Sequence, residues 1–328
     1  MRFSQRKLSQ ILLATMLLTL RARAGNLSVD CRPGAKGLTT INAAVADIAA
    51  DAAKKALPPT TITVTGPCVE NVSIVNLDSI TLQASPTGAS ISDASGGTLD
   101  TVAVADSNRF ALNGFTINGS VNCFDDAVCR LAGNTIQNSQ TGYGLRAGRA
   151  SIDSQSDSIS NNSSGSGVLS VNQSRIVLVD DTVNNNGGNG IVVQVGALVI
   201  LTNSATTTTV SNNAGFGILA QTNATVRLGV ANVMGNGSDG VRVLNGSVFR
   251  TDFVAPTVNN ITGNGGSGVN LGDLSHAFFA NDGSINVTGN LGGTDINCAG
   301  QFAATRNVAS TGGTTNCTEP NPNAPTRK

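Results

Sequence analysis

A glycine corner returns at a nearly fixed interval along the chain: Gly142-Tyr143-Gly144, Gly165-Ser166-Gly167, Gly188-Asn189-Gly190, Gly215-Phe216-Gly217, Ser238-Asp239-Gly240 and Gly266-Ser267-Gly268. The last positions of these corners are 23, 23, 27, 23 and 28 residues apart. An apolar residue follows each in register, at Leu145, Val168, Ile191, Ile218, Val241 and Val269. A unit of about 23 residues cannot bury an apolar face of its own, so it must stack on copies of itself. Short strands joined by tight corners stack as a solenoid of parallel sheets.

Two further periodicities agree. Asn186, Asn213, Asn236 and Asn264 each stand four positions before a corner, and the spacing recurs at Val287 and Asn290. An Asn amide in such a column can donate to the same residue one coil on, and Asn and Gly both tolerate the left-handed backbone of corners. Inside each coil the period is two. Ile176 and Leu178, Val199 and Leu201, and Val226 and Leu228 share one parity, expected inward, while Arg175, Val177, Leu198, Ile200, Arg227 and Arg250 take the other.

The start of the array carries a more particular pattern. Thr40-Ile41-Asn42-Ala43-Ala44-Val45-Ala46-Asp47-Ile48 reads as an amphipathic helix, and Thr61 to Ile74 runs strand, Gly turn, then Glu70-Asn71-Val72 before the next strand. Ile80 to Ala84 and Phe110 to Ile117 continue as strands. Over residues 38 to 300 the chain resembles the right-handed parallel β-helix proteins of the pectin lyase-like superfamily. The resemblance implies an all-β, right-handed parallel β-helix solenoid of about ten coils with an N-terminal capping helix. At the usual strand spacing that is a rod of roughly 50 Å. The expected division is a cap segment at 25–59, a β-helix domain at 60–305 and a flexible tail at 306–328, rich in Pro, Gly and Thr.

Residues 1–24 read as a signal peptide: Arg2, Arg6 and Lys7, an uncharged run from Ile11 to Leu20, then Ala22-Arg23-Ala24. The run is too short to serve as a mature membrane span, so the protein is expected to be secreted, periplasmic or extracellular. Cleavage after Ala24 leaves fifteen basic residues against twenty acidic. No Lys occurs between Lys55 and Lys328, so the clustered positive charge of a nucleic-acid binder is missing. Six Cys in an exported chain are expected to pair, and proximity favours Cys31 with Cys68, Cys123 with Cys129, and Cys298 with Cys317. Zinc is the rival use of these thiols, but short paired Cys spacings are missing and His276 is the one His.

Chemistry is harder to find. Enzymes of the resembled superfamily cut acidic polysaccharides with clustered Asp, often with Ca²⁺ and a basic residue. Asp157 and Asp180 lie 23 apart and Asp181 follows directly, so two coils are expected to bring three carboxylates together. With Arg175 these are the candidate catalytic residues, and calcium is the one candidate cofactor, at Asp157, Asp180 and Asp181. The bland alternative is a set of turn aspartates satisfied locally. Polygalacturonase-like motifs match only at Asp180-Asp181, and the acid-bearing stretches of pectin methylesterases are not found. Arg146, Arg149, Arg227, Arg242 and Arg250 are the candidate ligand-binding residues, in repeated columns that an acidic sugar or a local Asp such as Asp252 would neutralise. Tyr143 and ten Phe, without Trp, offer little flat surface to a neutral glycan, and the Phe are expected in the core or cap. The sequence therefore points to a secreted binding module for acidic polysaccharide or a cell-surface glycan, without a recognisable complete active site. A polysaccharide lyase or glycoside hydrolase, and an adhesin-like structural rod, are the alternatives.

Overall fold

The computed structural model describes residues 25–52, 59–163, 165–252, 258–280, 282 and 284–318. The expected signal peptide and the last ten residues of the expected tail lie outside them. Three parallel sheets run the length of the array. Sheet I has twelve strands, from Leu27–Asp30 to Ala304–Arg306, and sheets II and III have ten each. Every coil passes from sheet I to II to III and back, and each strand pairs only with its counterparts one coil before and after. About ten turns result, as the repeat requires.

The inward parity is as the sequence indicates. Ile176, Leu178, Val199, Leu201, Val226 and Leu228 are fully buried, and Phe110, Phe115 and Phe249 are among the largest side chains sealed in the core. Not every Phe follows: Phe302 is 76% and Phe278 39% exposed. Burying the inward columns on three sides lets so short a unit hold together, each full burial of a Val, Leu or Ile contributing roughly 2 kcal/mol.

At the corner between sheets II and III the asparagines form a ladder of six. The amide nitrogens of Asn162, Asn186, Asn213, Asn236 and Asn264 donate to the side-chain oxygen of the next member at 2.8–2.9 Å. Backbone N–H groups donate to the same oxygens, as Asn186 does to Asn213 at 3.1 Å. Asn290 ends the ladder against the Asp295 carboxylate, 3.1 Å away. The second glycine of each corner serves a purpose other than backbone freedom. A Cβ on Gly190 would stand 2.6 Å from the Gly217 carbonyl and 2.7 Å from the Asn213 amide, so close approach of the next coil, not a positive φ, excludes a side chain.

The cap is also present. The helix Ile41–Ala52 buries Ile41, Ala44, Val45 and Ile48 over the first coil. It contains no acidic residue in its first turn, and the need is met from outside: Glu70 accepts from the Ile41 and Asn42 amides at 2.7 and 3.0 Å. Thr40 accepts from Ala43 in addition. Disulfides join Cys31 to Cys68, Cys123 to Cys129 and Cys298 to Cys317, the pairs that proximity favours. Among the described residues the one grouping with metal-ligand spacing is Cys31, Cys68 and Glu70, whose sulfurs are bonded together and whose carboxylate caps the helix.

The expectation of a loose tail from 306 does not hold over its first part. Residues 304–306 add a strand to sheet I, Val308–Thr311 form a 3₁₀ turn, and Thr315 bridges to Ile296. The Asp295 carboxylate accepts from Thr314, and the Cys298–Cys317 bond fixes the segment to the last coil.

Candidate functional site

The register corrects the expected acidic cluster. Gln155 lies opposite Val179 and Ser158 opposite Thr182, so Asp157 faces Asp181, and Asp180 is level with Ser156. Asp180 points outward, where its carboxylate accepts from Ser204, Ala205 and Thr206. Burial raises its pKa, but these donors outweigh that and hold it at about 2. Asp157 and Asp181 turn inward at the corner between sheets I and II. There Asn134 occupies the rung before them and Thr208 the rung after.

Each of these buried side chains accepts the backbone amide of the preceding rung: Asp157 that of Asn134 at 2.6 Å, Asp181 that of Asp157 at 2.7 Å. Ser154 donates to Asp157 at 2.7 Å, while one Asp181 oxygen is buried without a partner. Burial raises Asp157 to about 6, against the pull of its donors. Burial and then the Asp157 charge raise Asp181 to about 8. Three carboxylates expected on one cation are thus split between the outer surface and the core wall, and the donor set does not fit Ca²⁺. Arg175 pairs with Asp153 at 2.8 Å instead of joining them.

The concave surface lies on sheet III. A groove of ≈ 490 Å³ crosses its early coils, roofed at one side by the residues joining strand Ser90–Ser92 to strand Val102–Ala105. That connection interrupts the repeat and is held by Asp93, which accepts from Ser95 and from the Asn71 amide at 2.9 and 2.7 Å. Neighbouring residues of the Glu70-Asn71-Val72 segment therefore do separate jobs: Glu70 caps the helix and Asn71 anchors the groove wall.

Asp100, Asn122, Tyr143, Arg146 and Arg149 supply the polar groups in and beside the groove. Asp100 accepts from Ser120 at 2.7 Å, the Asn122 amide at 2.8 Å and the Tyr143 hydroxyl at 2.9 Å. Burial, followed by the Asp100 charge, raises the Tyr143 pKa, so the phenol stays a neutral donor. Its ring lies 5.6 Å from the Arg146 guanidinium carbon. Asn122 and Arg146 are opposite one another on adjacent strands. The Asn122 side-chain oxygen and the Arg146 Nε are both buried with no partner. Both atoms are shut off from the groove, so leaving them unpaired is a cost to the fold.

Arg149 pairs with Asp125 and stands where the groove turns the corner toward sheet I. A second hollow of ≈ 410 Å³ continues there, past Asn172 and Gln173 to Arg175. The structure thus brings together Arg146, Arg149 and Arg175 of the residues singled out from sequence. It does not bring the others there. Arg227 and Arg250 share Asp252 on sheet I, and Arg242 lies 3.6 Å from Asp239. Arg242 does stand in the Arg146 column, four coils on.

Asp100, Asn122 and Tyr143 escaped the sequence reading. In sequence Tyr143 is one member of a glycine corner, and Asp100 closes an insertion with no counterpart in the other coils among the described residues. The insertion itself, a break in the 23-residue rhythm between Ile91 and Val102, was the available signal.

No protein-family model matches the chain, and no curated protein matches it by sequence. Among solved structures it is similar to the A-module of Azotobacter vinelandii mannuronan C-5 epimerase AlgE4. The TM-score is 0.58 at 14% identity, over 84% of this chain and 94% of that one. The AlgE6 A-module from the same organism gives 0.49 at 17% identity, over 86% and 95%. The chain folds as a right-handed parallel β-helix, and at such identity the likeness concerns the fold alone.

Proposed function

We propose that the protein is an extracellular binding module for acidic polysaccharide, which enters the sheet III groove and turns across Arg149 toward Arg175. The observation that carries this reading is Arg146, a partly buried guanidinium on the groove wall that pairs with no carboxylate among the described residues. A sugar acid offers that guanidinium a carboxylate, with hydroxyls for the polar groups beside it. The AlgE4 module acts, by its name, on mannuronan, a polymer of that class. Secretion through residues 1–24 belongs to the same reading, as does the oxidising surroundings that three disulfides need.

Binding without turnover is favoured over a lyase or hydrolase because the buried Asp157 and Asp181 cannot reach a ligand and Asp180 is committed to its loop. Titration with oligomannuronate and oligogalacturonate tests the site. Arg146→Gln is expected to weaken binding at least tenfold, the worth of one charge-assisted hydrogen bond. Unchanged affinity sinks the groove assignment, and ultraviolet-absorbing unsaturated products sink the non-catalytic one.

A further inference from the structure

A second basic feature lies on another face and near the other end of the array. On sheet I, strands Thr225–Leu228, Val248–Thr251, His276–Phe278 and Ala304–Arg306 pair in sequence. Their registers place Arg227 opposite Arg250, Arg250 opposite Phe278, and Phe278 opposite Arg306. One outward column therefore reads Arg, Arg, Phe, Arg over four coils, a track of about 14 Å at the usual strand spacing.

Its charge is not balanced. Asp252 is the carboxylate paired with the track, bridging Arg227 and Arg250 from beneath at 15% side-chain exposure, while Arg306 forms no ion pair among the described residues. Three cations thus share one anion, and the Arg227 and Arg250 side chains remain about half exposed to the outside. Guanidinium groups one coil apart repel unless an anion sits over them. Between two of them Phe278 stays 39% exposed, stacked on the His276 ring at 6.3 Å, in a chain that places most large apolar side chains inside. The column continues beyond Arg227 through Ile200 and Val177, both facing outward.

We propose that this column is a second binding site, for an anionic glycan chain lying along the solenoid axis. Its acid groups would sit over Arg227, Arg250 and Arg306, and the apolar face of a sugar ring would cover Phe278. Alternating cation and flat apolar surface suits a polymer whose units carry both an anionic group and a C–H face. A mature net charge of about −5, with three track cations alone, does not suit a nucleic acid. This site shares no residue with the sheet III groove, so the protein would hold two chains, or two parts of one.

Calorimetric titration of the full-length protein with size-defined oligogalacturonate, and in parallel with a sulfated galactan oligomer, separates the possibilities. The wild type is expected to show two sites, and the Arg250→Gln/Arg306→Gln protein one, with a shallower dependence on salt. Phe278→Ala should weaken the track about tenfold while leaving its salt dependence unaltered. Arg146→Gln should remove the other site only. A wild type with no site, or a number of sites that the double variant leaves unchanged, overturns the proposal. So does competition by duplex DNA at equal charge. If Arg146→Gln changes nothing while the double variant removes a site, the groove reading falls and the track stands. Unaltered melting of these variants, all at outward positions, shows that binding and not folding has changed.

Discussion

Raising the pH should loosen this protein from inside. Asp157 and Asp181 sit on consecutive rungs of the corner wall between sheets I and II, fully enclosed, and one Asp181 oxygen has no donor. An Asp carboxyl ordinarily titrates near 3.8, and Asp181 in the folded protein near 8. The folded form thus holds a proton that the unfolded chain releases. The neutral carboxyl costs nothing below about pH 3.8, and stability then declines as pH rises toward 8. Each pH unit in that window is worth about 1.4 kcal/mol for one site, so from the unfolded value to pH 7 the loss is about 4 kcal/mol. That is a large share of the 5–15 kcal/mol typical of a folded domain. Urea unfolding followed by far-ultraviolet circular dichroism at intervals from pH 4 to pH 9 reads this directly. Asp181→Asn should flatten the decline, since Asn134 shows that the column already accepts an amide. A wild type equally stable at pH 5 and pH 8, or an unchanged slope in Asp181→Asn, would refute the reasoning.

Other perturbations have equally definite outcomes. Below pH 3.8 the sign reverses, because hydrogen bonds hold Asp93 and Asp180 at about 2 in spite of burial; unfolding midpoints should fall again toward pH 2, and Asp180→Asn should reduce that fall. Millimolar Ca²⁺ should leave the melting temperature unmoved, since the three aspartates do not converge; a rise that Asp180→Asn abolishes would restore the metal site. Asn213→Ala removes two donated bonds and strands the Asn186 amide, at about 3 kcal/mol by chemical denaturation. Glu70→Ala uncovers two amides at the helix start, and a loss of about 2 kcal/mol with early hydrogen exchange in residues 41–45 is expected.

The solenoid was legible because each of its requirements recurs. Stacking forces the same choice at the same corner in every coil, so Asn186, Asn213, Asn236 and Asn264 announce themselves by repetition alone. Phase was harder. Asp157 and Asp180 sit 23 apart in a chain whose commonest interval is 23, yet that particular coil is 24 long, and one residue of slip exchanges a core position for a surface one. The groove was least legible, since it depends on what breaks the pattern. Asp100 belongs to an insertion, and Asn122 and Arg146 are ordinary outward residues until the register sets them side by side. Sequence alone could name Arg146 and Arg149, but not which of five arginines face a hollow.

The two terminal disulfides have a bearing on how such a rod wears out. A stack whose members touch only their neighbours is weakest at its ends, where the first and last coils can peel away one at a time. Here the peeling points are riveted. Cys31–Cys68 ties the leading strand to the first full coil, and Cys298–Cys317 ties the closing segment to the last. With both ends held, opening must begin in the middle, where a coil has partners on either side to lose. Where proteases are present, a chain held in this way gains lifetime even when its overall stability is ordinary, and a reductant would shorten that lifetime from the tips inward.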